Sequence, residues 1–255
     1  MNQNATFITF KRGAIIALSF LMLWQLIVVF LQLPNYILPS PLEVLAAFKQ
    51  QSSLIIQQSL PTIIEMLSGL FLAIILGGSL AIAMIFFRPL GAWFLPLLIL
   101  SQAIPVFAIA PLLVIWFGYG LASKIITTML MLFFPIASNF YDGLRRVDRG
   151  WLELAQTMNA RRSRFLLFIA IPAALPSLAT GLRVATAMAP MGAVIGEWVG
   201  ASKGLGFLLL FANARMQIPL MFACLVTLIL FAVALYFGVD KLLKILIPWG
   251  APSHE

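Results

Sequence analysis

Few side chains in this 255-residue sequence could do chemistry, and those few stand apart. Glu65, Arg183 and Glu197 fall within or at the ends of apolar runs, where Ser101, Gln102 and Asn139 are further polar groups. An ionisable group in such a setting is costly and is a functional candidate by default, on a solute path or an ion relay. Covalent or acid–base catalysis would need a nucleophile beside a base, or a metal cluster. No histidine stands in any apolar run, no aspartates pair there, and no serine has an obvious base at helical spacing. The one histidine, His254, is next to the last residue, so no histidine cluster exists to hold a metal. The one cysteine, Cys224, excludes an intrachain disulfide and reads as a small buried hydrophobe. No Gly-x-x-x-x-Gly-Lys-Ser/Thr loop occurs, so the chain itself cannot bind ATP in the usual way.

The elements that must position these groups are dictated by hydrophobicity. The chain is 62% hydrophobic and 9% charged, whereas a soluble domain is about half apolar and a quarter charged. The bilayer is the natural solvent for such a chain. Crossing the hydrocarbon core takes about 20 mostly apolar residues. That length predicts six spans, near 13–33, 60–87, 91–116, 122–143, 172–196 and 217–247, in one membrane domain over 1–255. The longer ones must tilt, kink or project. The first follows Lys11 and Arg12 like a signal peptide. It is too long for one, lacks a small-x-small site before Pro34, and reads as an uncleaved span.

Charge placement gives orientation. Six spans put both termini on one side. That side carries Lys11, Arg12, Arg88, Arg145, Arg146, Arg149, Arg161, Arg162, Arg164, Lys241 and Lys244, against Lys49, Lys124, Lys203 and Arg215 on the other. Positive residues stay in the cytoplasm, so the termini and the 144–171 loop are expected there. The formal net charge of +8 is thus accounted for by topology, without a nucleic-acid partner.

Outside the membrane, the segment after Pro34, Pro39 and Pro41 predicts a short helix at the interface from Leu42. The 197–216 segment is too apolar for an ordinary loop and reads as a partly re-entrant or surface-lying element. Within the fifth span, Gly181, Ala185, Ala189 and Ala193 form one small-residue row and Gly192, Gly196 and Gly200 another. Such rows let helix backbones approach closely, within the chain or against a second subunit. Pro190 is expected to kink this span as a possible hinge, and Pro105 and Pro111 to interrupt the third.

The cytoplasmic loop is the most informative stretch. Trp151–Met158 holds good helix formers, Asp148 stands before it as an N-cap, and Asn159 can adopt the left-handed conformation that ends a helix. The prediction is a short helix, a sharp turn and a helix re-entering the membrane. Leu152, Ala155 and Gln156 share one side, which could dock in a groove of a soluble partner. Spacing alone equally allows a solvated basic loop.

Here the residues resemble a known motif. Glu153-Leu154-Ala155, then Asn159-Ala160, then Ile169-Ala170-Ile171-Pro172, continued by Pro176 and Gly181-Leu182-Arg183, are similar to the EAA motif of ABC importer permeases. Leu154 stands where that motif has Ala, and Asn159 where it has Gly; Asn keeps the left-handed turn available. Ile104–Leu112 with Trp116-Phe117-Gly118-Tyr119-Gly120 resembles the family's third span, and Glu197–Gly206 its last external segment. The likeness runs from about residue 60 to 247. It is nearest to the subgroup serving sulfonate, taurine, nitrate and thiamine-precursor pyrimidines, and Gly196–Gly206 followed by Asn213–Gln217 looks most like the pyrimidine branch.

The resemblance implies an all-α permease of the type I importer kind. Its coupling loop would use Glu153, Leu154, Ala155, Asn159, Ala160 and Arg161. It implies a homodimer of this chain in a bacterial inner membrane, two cytoplasmic ABC ATPase subunits that bind ATP and magnesium, and an external substrate-binding protein. The permease holds no cofactor of its own. Gln102, Pro105, Asn139, Arg183 and Glu197 are candidate pathway residues. A secondary transporter working alone would favour intramembrane acids and inverted repeats. Only Glu65 and Glu197 qualify as such acids, and no repeat is visible.

Overall fold

The computed structural model describes residues 3–250, with the backbone alone for residues 3–14, 17, 88 and 102; His254 and the side chain of Gln102 therefore lie outside the described residues. Helices are the only long regular elements among the described residues. They are α1 (Gln3–Phe30), α2 (Pro41–Gln50), α3 (Ser52–Phe86), α4 (Arg88–Ala103), α5 (Val106–Phe117), α6 (Leu121–Arg145), α7 (Arg149–Thr157), α8 (Arg162–Phe165), α9 (Ile171–Trp198), α10 (Leu205–Ala214) and α11 (Ile218–Leu246), with a wider π turn over Leu166–Ala170 joining α8 to α9.

Four stretches are long and apolar enough to cross a membrane: α3, α6, the continuous Arg162–Trp198 and α11. The pair α4 and α5 supplies a fifth as one bent span, and α1 contains the shorter apolar stretch Leu18–Phe30. An all-α membrane fold of about six spans is therefore the architecture found. At 35 residues, α3 is roughly 52 Å long, well over the ~30 Å hydrocarbon core, so it tilts or projects.

Several boundaries differ from expectation for local reasons. The first span ends at Phe30 rather than residue 33, and Gln32 is left-handed (φ 45°). α2 starts at Pro41 because Ser40 builds a capping box: its Oγ accepts from Glu43 N (3.3 Å), while Glu43 Oε2 accepts from Ser40 N (2.8 Å). α3 begins at Ser52, so the second span has no preceding loop of the length predicted.

The third span, expected as one helix over 91–116, is broken. Ile104 is extended (φ −88°, ψ 117°) before Pro105, as a residue preceding proline prefers, and the flanking helices meet at 102°. Pro111 breaks nothing and lies inside α5. α9 likewise continues through Pro176 and Pro190. Lys124, counted by sequence among the cations of the outer side, is in α6 with its side chain buried.

The chain divides into two compact units. The first holds residues up to Gln58 with Leu208–Thr227. Val44, Ile55, Leu208, Leu220 and Cys224 are buried there, and Trp24 donates to Pro39 O (3.0 Å) while stacking near Phe222. The second holds Ser59–Phe207 with residues from Leu228 on. Its centre is the pair α6 and α9, joined by α3 and the end of α11 in a core that includes Leu132, Ile136, Ala185, Ala189, Ala193 and Leu243. The small residues of α9 set its spacing. A Cβ added to Gly181 would lie 2.5 Å from Pro135 O, and one added to Gly196 would lie 3.0 Å from Lys124 Cα. Gly192 meets Thr128 in the same way. These backbones touch because a methyl group is missing.

Candidate coupling loop and buried polar cluster

The loop between α6 and α9 is built by its caps. Asp148 Oδ1 accepts from Gly150 N (2.8 Å) and starts α7. At the other end Asn159 is left-handed (φ 55°), and Ala160 N donates to Ala155 O (2.9 Å), closing the helix before α8. The chain thus turns sharply between α7 and α8.

α7 has two unlike sides. Ala155, expected on the docking side, is 5% exposed and faces the bundle. A small residue there lets α7 lie close against its own chain. Trp151, Leu154 and Met158 are exposed at 56%, 56% and 75%. Their spacing of three and four puts them in one row. Glu153, Asn159, Ala160 and Arg161 are exposed beside them. The large apolar side chains exposed on this loop are therefore Trp151, Leu154 and Met158 with Leu152 beside them, and of the 152/155/156 side expected from sequence Ala155 alone is buried.

A second group lies inside the bundle. Thr62 and Glu65 of α3, Lys124 of α6 and Glu197 of α9 are all buried. Glu197 accepts from Thr62 Oγ1 (2.6 Å), Gly206 N (2.5 Å) and Phe207 N (3.2 Å), and Thr62 Oγ1 accepts from Leu205 N (2.9 Å). Three consecutive N–H groups of the first turn of α10, which lack helix partners, are thereby satisfied. Gly204 (φ 116°) turns the chain back past Glu197, where an added Cβ would overlap the carboxylate. Lys124 Nζ lies 3.9 Å from Glu65 Oε1, a loose ion pair in a closed interior.

The other candidate pathway residues do not converge. Asn139 Nδ2 donates to Pro135 O on its own helix (2.8 Å). Arg183 and Glu197 are fourteen positions apart on α9, roughly 21 Å along the axis. Pro105 stands at the break between α4 and α5. Arg183 Nε instead pairs with Asp240 Oδ1 (2.7 Å), whose Oδ2 also meets Lys244 Nζ (3.0 Å). Sequence reasoning missed Thr62, Lys124 and Asp240 as partners. Their separations of 135, 59 and 57 residues from Glu197, Glu65 and Arg183 carry no periodic signal. An acid within the apolar 217–247 run was the available hint for Asp240.

Comparison with known proteins agrees with this architecture. The computed fold is similar to the MetNI methionine ABC transporter in an inward-facing conformation, with TM-score 0.64 and 18% identity, covering 77% of this chain and 97% of that one. In sequence the chain is 49% identical over 223 residues to a probable ABC transporter permease protein of Haemophilus influenzae, covering 88% of this chain and 91% of the relative. It is 37% identical over 233 residues to the formylaminopyrimidine transport permease protein ThiX of Halalkalibacterium halodurans, covering 91% and 93%. Residues 69–249 match the family described as binding-protein-dependent transport system inner membrane component. That match spans the α6–α9 core and α7, with Lys124 and Glu197 of the buried cluster, and the chain belongs to this family of ABC importer permeases.

Proposed function

We propose that the chain is one of two identical permease subunits through which an ATP-driven importer passes a small pyrimidine, of the kind that serves as a thiamine precursor. Two cytoplasmic ATPase subunits dock on the α7 loops, and an external binding protein delivers the solute. The termini and α7 lie on the cytoplasmic side of a bacterial inner membrane, and α10 on the outer side. ATP and magnesium belong to the ATPase subunits.

The observation that carries this reading is the exposed row Trp151, Leu154 and Met158 on a short, capped helix. A helix that buries a single alanine and leaves Trp151, Leu152, Leu154 and Met158 exposed is incomplete alone. A groove on a second protein completes it, in the helix-in-groove manner. Glu153 and Arg161 flank the row and fix register by charge. When the ATPases close on nucleotide, the two α7 helices are drawn together, and α6 and α9, attached at either end of the loop, follow.

The pyrimidine assignment is supported by the relative that transports formylaminopyrimidine and by the Gly196–Gly206 segment. Selectivity rests mainly on the binding protein. Proteoliposomes holding the permease, its ATPase and its binding protein should accumulate labelled aminopyrimidine only with ATP inside the ATPase compartment. Uptake of taurine in preference would move the substrate to the sulfonate branch. Accumulation with no ATPase present would end the importer reading.

A further inference from the structure

We propose that Arg162 is a positioning residue that straps the coupling loop to the cytoplasmic end of α3, so that movement of α7 is passed to a helix with which it shares no direct chain connection. The inference rests on α7 being the docking helix and adds a route for its motion.

The geometry is specific. Arg162 opens α8, two residues beyond Ala160. Its Nη2 donates to Ile85 O at 2.8 Å, and its guanidinium carbon stands 5.9 Å from the centre of the Phe86 ring. Ile85 is in the last turn of α3, where carbonyls have no helix partner and carry the negative end of the helix dipole. A guanidinium supplies the donor, the charge and a flat face for the ring.

Chain connectivity gives this contact its importance. α7 follows α6 and leads through α8 into α9, so both of these helices are pulled covalently. α3 continues into α4 instead. Between α7 and the end of α3 lies a partly enclosed groove lined by Ile85, Phe86, Leu152, Ala155, Arg162 and Phe165. Close packing therefore does not join the two, and a polar strap across the groove does. The π turn over Leu166–Ala170 follows at once. Such widened turns accompany functional sites, and here it lets α8 shift with α7 without unwinding α9.

The test uses the complete complex in proteoliposomes. Uptake per ATP hydrolysed is measured for wild type, Arg162→Ala and Arg162→Lys, alongside copurification of the ATPase. Spin labels at exposed positions 87 and 157 report the distance between the α3 end and α7 with and without nucleotide. Arg162→Ala should copurify with the ATPase, lower the uptake per ATP about fivefold, the order of one exposed charge-assisted hydrogen bond, and broaden the 87–157 distance when nucleotide binds. Arg162→Lys, which keeps a cationic donor, should recover part of the ratio. An unchanged ratio and distance in Arg162→Ala overturns the strap. So does loss of the ATPase from that variant alone, which would make Arg162 a docking residue. If the wild type fails to hold the ATPase, or holds it after α7 is disrupted by Leu154→Asp with Met158→Asp, the docking reading falls first.

Discussion

Two regions of the second unit invert the usual placement of side chains in opposite ways. Around Glu197, charged and polar groups are buried. On α7, large apolar groups are exposed. Glu197 is closed by partners inside the chain, receiving three hydrogen bonds, whereas Glu65 has the loose ion pair to Lys124. The α7 row has no such closure among the described residues. The contrast separates structure from function: polarity that is satisfied internally holds the fold, and apolarity left unsatisfied marks a partner.

The largest effect expected from that contrast is at Glu197. Glu197→Ala strips the acceptor from Thr62, Gly206 and Phe207 together and leaves buried donors unpaired, costing at least about 3 kcal/mol. Thermal unfolding in detergent should show a lowered midpoint or no folded protein, with Glu197→Gln milder because its amide oxygen still accepts. Full stability of Glu197→Ala would remove the structural half of the comparison. At α7 the expected damage is to transport instead. Glu153→Lys should insert and fold normally yet reduce ATP-dependent uptake on the order of tenfold, since a reversed charge at a docking surface costs specificity and register. Normal uptake would count against the coupling role.

Smaller effects sharpen the picture. Gly181→Ala forces a methyl group toward Pro135 O and should destabilise by about 1–3 kcal/mol, visible as a lower unfolding midpoint. If the midpoint is unmoved, α6 and α9 are less tightly held than described. Arg183→Gln should cost only about 1 kcal/mol, because Asp240 keeps Lys244. A larger loss of uptake than of stability in that variant would restore Arg183 as a pathway residue.

Much was legible in the sequence because it is local. Span existence follows from hydropathy integrated over a helix length, and the α7 helix from its caps at Asp148 and Asn159. Proline breaks were half legible. Pro105 ends a helix where Pro111, Pro135 and Pro190 do not, since a neighbouring helix can hold a proline turn together and local sequence does not report that neighbour. At α7 the burial of Ala155 alone was not legible, because Leu152, Ala155 and Gln156 form as good a stripe as Trp151, Leu154 and Met158.

The sequence by itself determined an apolar, all-helical membrane protein with a basic, capped helical loop between its fourth and fifth crossings. It did so because span length, capping and charge bias act within a few helical turns. Only the tertiary structure decided that Lys124 sits against Glu65, that Asp240 answers Arg183, that Glu197 closes the first turn of α10 and that Arg162 reaches Ile85. Three of these pairs are separated by dozens of residues and the fourth meets across the turn at Gly204; all depend on how helices pack, about which no repeat of hydrophobicity carries information.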